Sequence, residues 1–407
     1  MEKFSLNEIS KHNHKKSCWI VLYNKVYNVT HFIDKHPGQD FILQVAGIDG
    51  TAIFESIHST STKKMLNNKE FINNYYIGEL CEKDRSQINY NSKFAKELKE
   101  EEEKYFKSVK NTPYARGGLY EKMTVYIKFA IITLLSLYCK YYSIIENRYL
   151  YSILYGITTN LLFFNITHGA NHGELIKHYP KCFSKLSQYI TFFFIGTSYL
   201  DWIKWHNISH HQYTNTHNDI DQNRHKFIRL HKYNTYKLYY KYQYYFIWFL
   251  YLFAYIAFIQ RNTIYYINYI ILHNLLSYYV NNQYCLRNLL VESFTFGFIF
   301  VMINHVTHTN LKTTYKPKIN NCWYEHQMCS TSNYYMNNYF VAHLFGGINY
   351  QIEHHLFTSV HHFHYPALSK IVRKVSKKHN IPYLSFDTYF QALKSHYLLL
   401  KKLGKDE

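Results

Sequence analysis

The polarity pattern changes character twice along the chain. Residues 1 to about 80 alternate short apolar and polar runs. "CWIVLYNKVYNVT" is a short β-like run, and helix-like segments follow it. Residues 81–122 are charged, and "KELKEEEEKYFKSVK" predicts a solvated helix or tether. From Thr124 apolar runs dominate. "FAIITLLSLYC" lies between Lys128 and Lys140, and a charge-free stretch runs from Tyr149 to Gly173. Further runs cover Tyr242 to Gln260, Asn262 to Leu286 and Ser293 to Asn304. A bilayer core needs about 20 apolar residues to cross, so several of these qualify. "SQYITFFFIGTSYL" (187–200) is too short to span and predicts a re-entrant or interfacial segment. The basic tail, "SKIVRKVSKKHN", predicts a cytosolic face by the positive-inside tendency.

Charge and cysteine usage narrow this picture. A formal net charge of +19 suits nucleic acid or an anionic membrane surface. No compact basic motif with interleaved glycines is present, so nucleic acid is not expected as a partner and the apolar runs favour membrane. The 7 cysteines form no CxxC pair, which argues against a zinc ribbon or disulfide framework and fits a reducing compartment. "MEKFSLNEISKHNHKKS" lacks the apolar core of a signal peptide, so the segment ahead of the first apolar run is expected to stay cytosolic.

The candidate chemistry lies in histidine clusters, each just beyond an apolar run. They are "HGANH" with His168 and His172, "HNISHH" with His206, His210 and His211, and "QIEHH" with His354 and His355. "NHVTH", with His305 and His308, ends the last apolar run. On an α-helix residues four apart share a face, which stacks His168 over His172 and His206 over His210. An adjacent pair diverges by about 100°, so each member can serve a different metal. Gln351, three and four residues before His354 and His355, occupies a ligand's position, although its amide oxygen is a weaker donor. Imidazole suits iron, copper, nickel and zinc. The Glu-x-x-His pairs of a carboxylate-bridged di-iron bundle are not seen. An imidazole-rich binuclear site near the cytosolic surface is predicted. All clusters must then meet on one side of the membrane, so one of the three apolar stretches between Tyr242 and Asn304 must lie in the interface or merge with its neighbour.

The first 80 residues resemble a cytochrome b5 domain: Trp19 and "KVYNV", then "HPGQD", then "FESIHS" with His58 placed 22 residues after His36. The resemblance implies haem b with His36 and His58 as axial ligands. Two protein ligands leave the iron no open position, so such a haem carries electrons. Gln39 stands where the motif usually has its second glycine.

With "HGANH", "WHNISHHQYTN" and "NYQIEHHLF" behind that domain, nearly the whole chain resembles the cytochrome b5-fusion, or front-end, fatty acid desaturases. The implied fold is an N-terminal α+β cytochrome b5-like haem domain (1–80), a charged linker (81–122) and an all-α multi-pass membrane desaturase domain with a cytosolic histidine-rich cap (123–407). The implied centre holds two non-haem iron ions on His168, His172, His206, His210, His211, His305, His354 and His355. Gln351 counts with the catalytic residues and marks the front-end group. The family consumes O2 and two electrons passed through the haem, with NADH-cytochrome b5 reductase as donor. It places a cis double bond between an existing one and the carboxyl end of an acyl lipid or acyl-CoA. An endoplasmic-reticulum membrane location follows, with haem domain and boxes on the cytosolic side. The form of the boxes leans to Δ4 or Δ5 over Δ6. A sphingolipid long-chain-base desaturase, a hydroxylase and a non-catalytic membrane-bound electron carrier are the rival readings. The family usually has Asp where this chain has Gly169; Glu174, Asp201 and Asp219 are the candidate substitutes. His361, His362 and His364 are expected to be supporting or surface residues.

Overall fold

The computed structural model describes residues 2–146, 148–223, 227–255, 263–281, 286–319, 322–336 and 338–405. Its first domain is built on a five-stranded sheet of β1 (Lys3–Phe4), β2 (Asn13–His14), β3 (Ser17–Leu22), β4 (Lys25–Asn28) and β5 (Tyr76–Leu80), in the order β1-β5-β4-β3-β2. β3 and β4, both within the β-like run "CWIVLYNKVYNVT", form an antiparallel hairpin with Trp19 opposite Asn28 and Leu22 opposite Lys25. Tyr23 and Asn24 at its tip both take positive φ, 54° and 64°, the twist a two-residue hairpin turn demands. Ile20, Val21, Leu22, Val26 and Tyr27 are buried. Helix α1 (Thr51–Ile57) stands against β3 and ends at His58.

The charged segment after this domain is no solvated tether. Helix α2 (Lys93–Val109) is amphipathic and buries Phe94, Ala95, Leu98 and Lys99. Ser92 caps its N-terminus by accepting from Ala95 N–H. Its apolar face joins the core of helices α9 (Trp323–Ser330), α10 (Gln351–Leu356) and α11 (Tyr365–Lys378). Charge density hid this stripe, because charged residues crowd the same turns as the apolar ones.

The apolar runs become helices α3 (Leu119–Ile145), α4 (Tyr149–Leu162), α5 (Lys181–Ile195), α6 (Gln243–Leu252), α7 (Thr263–Asn281) and α8 (Leu286–His308), with α12 (Tyr389–Leu403) closing the chain. α4 lies against both α3 and α8, and α6 packs on α8 and α12. Among the described residues, α3 and α8 are long and apolar enough to cross a membrane. α3 turns Ile127, Ile131, Leu134, Leu135 and Leu137 outward, an apolar surface of the kind that meets lipid. α5 covers most of the short 187–200 run and stops at Gly196, whose φ of 67° ends the helix. Residues 256–262 and 282–285, within the apolar runs expected from Tyr242 to Leu286, lie outside the described residues.

Candidate metal centre

Each histidine cluster sits where a helix is interrupted or ends. α4 runs into a π-helical turn, Phe163–Thr167, which delivers His168 at the start of a short helix. A second π-helical turn, Lys204–His210, carries the middle cluster, and the backbone N–H of His211 reaches the carbonyl of His206. α8 ends on His308, and α10 carries Gln351, His354 and His355. π-turns are rare and favour functional sites.

The side chains converge on two adjoining points. His168, His172, His206, His211 and His354 each offer a ring nitrogen, all within 4.8 Å of one another; His210, His308 and His355 form a second such group. All eight are buried. In the first group Nε2 atoms approach as pairs: His168 to His206 at 3.0 Å, His206 to His211 at 3.1 Å and His211 to His354 at 3.2 Å. In the second, His210 and His308 stand 3.3 Å apart. Ligands at right angles around an ion, with bonds of about 2.1 Å, are separated by about 3.0 Å. Nε2 of His172 and of His355 is buried without a hydrogen-bond partner. The donor set therefore fits metal ions better than it fits itself.

Two local departures from simple helical spacing matter. His206 joins His211, not His210, because an i→i+5 turn brings residues five apart together. The adjacent pairs do split, with His211 and His354 in one group and His210 and His355 in the other. His305, expected among the ligands, is not in either group. Its Nδ1 faces the Tyr251 hydroxyl at 3.3 Å, and His308, one turn further on, takes that position. "NHVTH" contained both, and only the packing of α8 decides which one faces the cluster.

Gln351 reaches the second group directly, with its Nε2 2.9 Å from His308 Nε2 while its Oε1 is buried without a partner. A half-turn of the amide exchanges these isosteric atoms and presents the oxygen, the atom able to bind metal, to the same point.

The outer ring nitrogens are held by the surrounding protein, which orients Nε2 inward. His210 Nδ1 donates to Asp219 at 2.9 Å and His355 Nδ1 to Gln327 at 2.9 Å. His206 Nδ1 lies 3.5 Å from Asp221, and His354 Nδ1 3.3 Å from the Tyr365 hydroxyl. Burial drives His168, His172, His211, His354 and His355 well below the usual imidazole range, with neighbouring imidazoles adding to the effect. His206 is lowered to about 4 by burial, with Asp221 opposing. The rings are thus neutral, the form that binds metal.

The carboxylate missing at Gly169 is replaced in space. A Cβ built on Gly169 would meet Glu174 Oε2 at 1.6 Å, so Glu174 fills the volume a side chain there would use. Asp219 holds a cluster histidine, whereas Asp201 lies in the first turn of the helix Tyr199–Ile203, capped by Ser198. Glu174, His361 and His362 also bring ligand atoms within 4.8 Å of one another. Lys128 lies against this group, donating to His362 Nε2 at 3.1 Å. His361, His362 and His364 are buried, not on the surface.

In the first domain His36 and His58 face each other with ring centroids 6.1 Å apart. Two iron–nitrogen bonds of about 2 Å plus two ring half-widths of about 1.1 Å span this gap. His58 Nδ1 donates to the Phe54 carbonyl at 3.2 Å, leaving Nε2 for iron, and Phe54 stacks on the ring at 4.4 Å. Burial lowers His58 to about 4 and also lowers His36. Gln39 has φ of 47°, the left-handed conformation that a glycine would adopt freely.

Comparison with known proteins agrees with this arrangement. The Fatty acid desaturase profile matches residues 148–387, and that of the Cytochrome b5-like Heme/Steroid binding domain matches 5–81. The Acyl-lipid (8-3)-desaturase of Physcomitrium patens is 27% identical over 470 residues, covering 100% of this chain and 92% of its own. The Probable Delta(5) fatty acid desaturase C of Dictyostelium discoideum is 29% identical over 448 residues, covering 99% and 96%. The Delta(8)-fatty-acid desaturase of Borago officinalis is 25% identical over 427 residues, covering 95% and 91%. Haem follows from the first domain and iron from the second. The chain belongs to the fatty acid desaturase family, in the front-end form that carries its own cytochrome b5 domain ahead of the desaturase domain.

Proposed function

We propose that this oxidoreductase inserts a cis double bond into a long polyunsaturated acyl chain, between an existing double bond and the carboxyl end, at Δ5 or Δ4. The convergence of eight imidazoles on two adjoining points carries this reading. The relative named Probable Delta(5) fatty acid desaturase C supports the Δ5 end of the range, and the one named Delta(8) bears a different position in its name.

One iron is assigned to His168, His172, His206, His211 and His354, and the other to His210, His308 and His355 with Gln351. Bound iron supplies the oxygen chemistry that breaks an unactivated C–H bond, which side-chain acids and bases cannot do. Per double bond, O2, two electrons, two protons and two substrate hydrogens become two waters. The chain's own residues do the rest. Asp219, Gln327 and Tyr365 fix ring orientation, burial keeps the imidazoles neutral, and Phe163 and Trp202, in T-shaped contact at 5.5 Å, wall the His168 side with apolar surface. We assign α3 and α8 to the bilayer with further crossings among the other apolar helices. The boxes and haem domain then lie on the cytosolic face of the endoplasmic reticulum. Residues 1–80, 81–122 and 123–407 are the haem domain, the packed connecting segment and the desaturase domain. NADH-cytochrome b5 reductase is the proposed electron donor, and acyl lipid or acyl-CoA the substrate.

The test is expression in a host without polyunsaturated lipids, fed acyl chains of eighteen, twenty and twenty-two carbons, with products located by mass spectrometry. A new front-end double bond is expected, lost in His355→Ala while the haem spectrum persists. New double bonds in ceramide bases, or hydroxylated products, would replace this reading with the sphingolipid or hydroxylase alternative.

A further inference from the structure

The first domain does not hang free of the histidine boxes. Phe41 reaches box one, its Cζ 3.1 Å from a Cβ built on Gly173, next to His172. Gln44 Oε1 accepts from Asn207 Nδ2 at 3.2 Å, next to His206. Thr358 donates to Ser56 Oγ at 3.0 Å, three residues beyond His355 and two before His58. At most about 3.5 Å of chain per residue separates each hydroxyl from its histidine. The contact is anchored by Glu55, 2% exposed, which accepts from the Tyr324 hydroxyl at 2.6 Å and also pairs with Lys63 and Tyr23. Undocking would remove the Tyr324 bond from Glu55, while Lys63 and Tyr23, in the same domain, would stay with it.

The connection offers no slack either. Asn89 accepts from Trp323 N–H at 2.9 Å, α2 is buried along one face, and Glu103 on α2 accepts from Thr60 N–H at 3.0 Å. A domain that swung out to collect electrons would break the Thr60–Glu103 bond and would have only residues 81–88 to hinge on.

We propose that the haem domain works in this docked position, its electrons reaching the centre that the box histidines would hold without the contact opening, while a reductase reads the exposed edge around His36. The inference rests on the desaturase reading. Each transfer would take one electron from a ferrous haem held by His36 and His58, leaving it ferric, and give it to iron held by the boxes. Two transfers serve each double bond. The exposed residues Lys35, Pro37 and Gln39 beside His36 leave that edge open to a partner.

The test locks the contact in the full-length holoprotein. Hydroxyls 3.0 Å apart put the Cβ atoms of residues 56 and 358 about 4–5 Å apart, overlapping the upper end of the range of about 3.5–4.5 Å for disulfides. Ser56→Cys with Thr358→Cys, each single change serving as control, is oxidised and the cross-link measured by peptide mass spectrometry, a readout independent of turnover. Reduced haem is then mixed with O2 and substrate, and its re-oxidation followed optically before and after phosphine cleavage of the link. Cross-linking in most molecules, with re-oxidation within twofold before and after cleavage, is expected. Failure to cross-link in protein with a normal haem spectrum overturns the proposal. So does a locked form that accepts electrons from reductase yet re-oxidises tenfold more slowly until cleaved. Product formation in the cleaved form keeps the desaturase reading standing in either case; no product in any form sinks both. Glu55→Lys provides the opposite perturbation. It should slow haem re-oxidation at least tenfold while the haem spectrum and its reduction by reductase persist, and unchanged re-oxidation counts against docking.

Discussion

Asp219 is fully buried, and its Oδ2 accepts two bonds, from His210 Nδ1 at 2.9 Å and from Asn215 N–H at 2.8 Å. The first bond fixes the His210 tautomer, keeping the proton on Nδ1 and a lone pair on Nε2 for iron. Asp219→Asn keeps the shape, and because both bonds end on one oxygen, the amide oxygen can retain both. What it removes is the charge, and charge-assisted bonds are about twice as strong as neutral ones. Loss of an outer partner costs roughly 10–100-fold in metal affinity. Asp219→Asn should therefore lie near the lower figure, about 1.4 kcal/mol. Asp219→Ala should lie near the upper figure and also orphan the Asn215 N–H, a further penalty of about 1–3 kcal/mol on stability. Non-haem iron is measured after equilibration with graded chelator, with the haem spectrum as internal control. Chelator curves that coincide for wild type and Asp219→Asn would refute the reasoning. Parallel loss of haem and iron would show instead that the fold had failed.

Other outcomes follow from single observations. His308→Ala should lose non-haem iron and activity, whereas His305→Ala, directed at Tyr251, should retain most of its iron; the reverse order would return His305 to the ligand set. Gly169→Ala should be destabilised by about 1–3 kcal/mol through overpacking against Glu174, and Glu174→Gly in the same chain should recover most of the loss in thermal denaturation. Gln39→Gly removes a left-handed strain of about 1–2 kcal/mol against the added freedom of glycine when unfolded, so the temperature of haem release should hold or rise slightly. Burial lowers His326 to about 4, with its bond to the Thr214 carbonyl opposing. The unfolded chain takes this proton near pH 6.5 and the folded chain does not. Stability is thus full above pH 6.5 and lost as pH falls toward 4, by about 2 kcal/mol between pH 7 and 5. His326→Asn should flatten the corresponding drop in denaturation temperature.

The fold was most legible where one local rule sufficed. The strands of the β3–β4 hairpin lie in the short β-like run, and the apolar runs became helices, although α8 begins at Leu286, ahead of the run expected from Ser293, and α6 ends at Leu252. α2 was misread because its seventeen residues hold a narrow apolar stripe amid charge. Whether a charged helix is free or docked depends on a complementary face elsewhere, here α9 and α11, more than two hundred residues away along the chain. No local window contains that face.

The site obeys the same division. Which residue types gather was readable, since imidazoles recur at helix ends; how they divide between two ions was not. The π-turn at Lys204–His210 converts an expected 206–210 pair into a 206–211 pair, and such a turn inserts no signature residue. In the same way His305 and His308 differ by 60° on an ideal helix (about, from 3.6 residues per turn), and the choice falls to α8 packing on α6, where Tyr251 engages the former. Glu174 makes the point from the other direction. Its carboxylate lies against Gly169 only because the chain turns back at Gly173, with φ of 82°, five residues being enough to move a side chain's volume from one position to another. A motif scored by position marks Gly169 as a loss. Scored by occupied volume, the carboxylate is present, supplied by Glu174 from the next turn of chain.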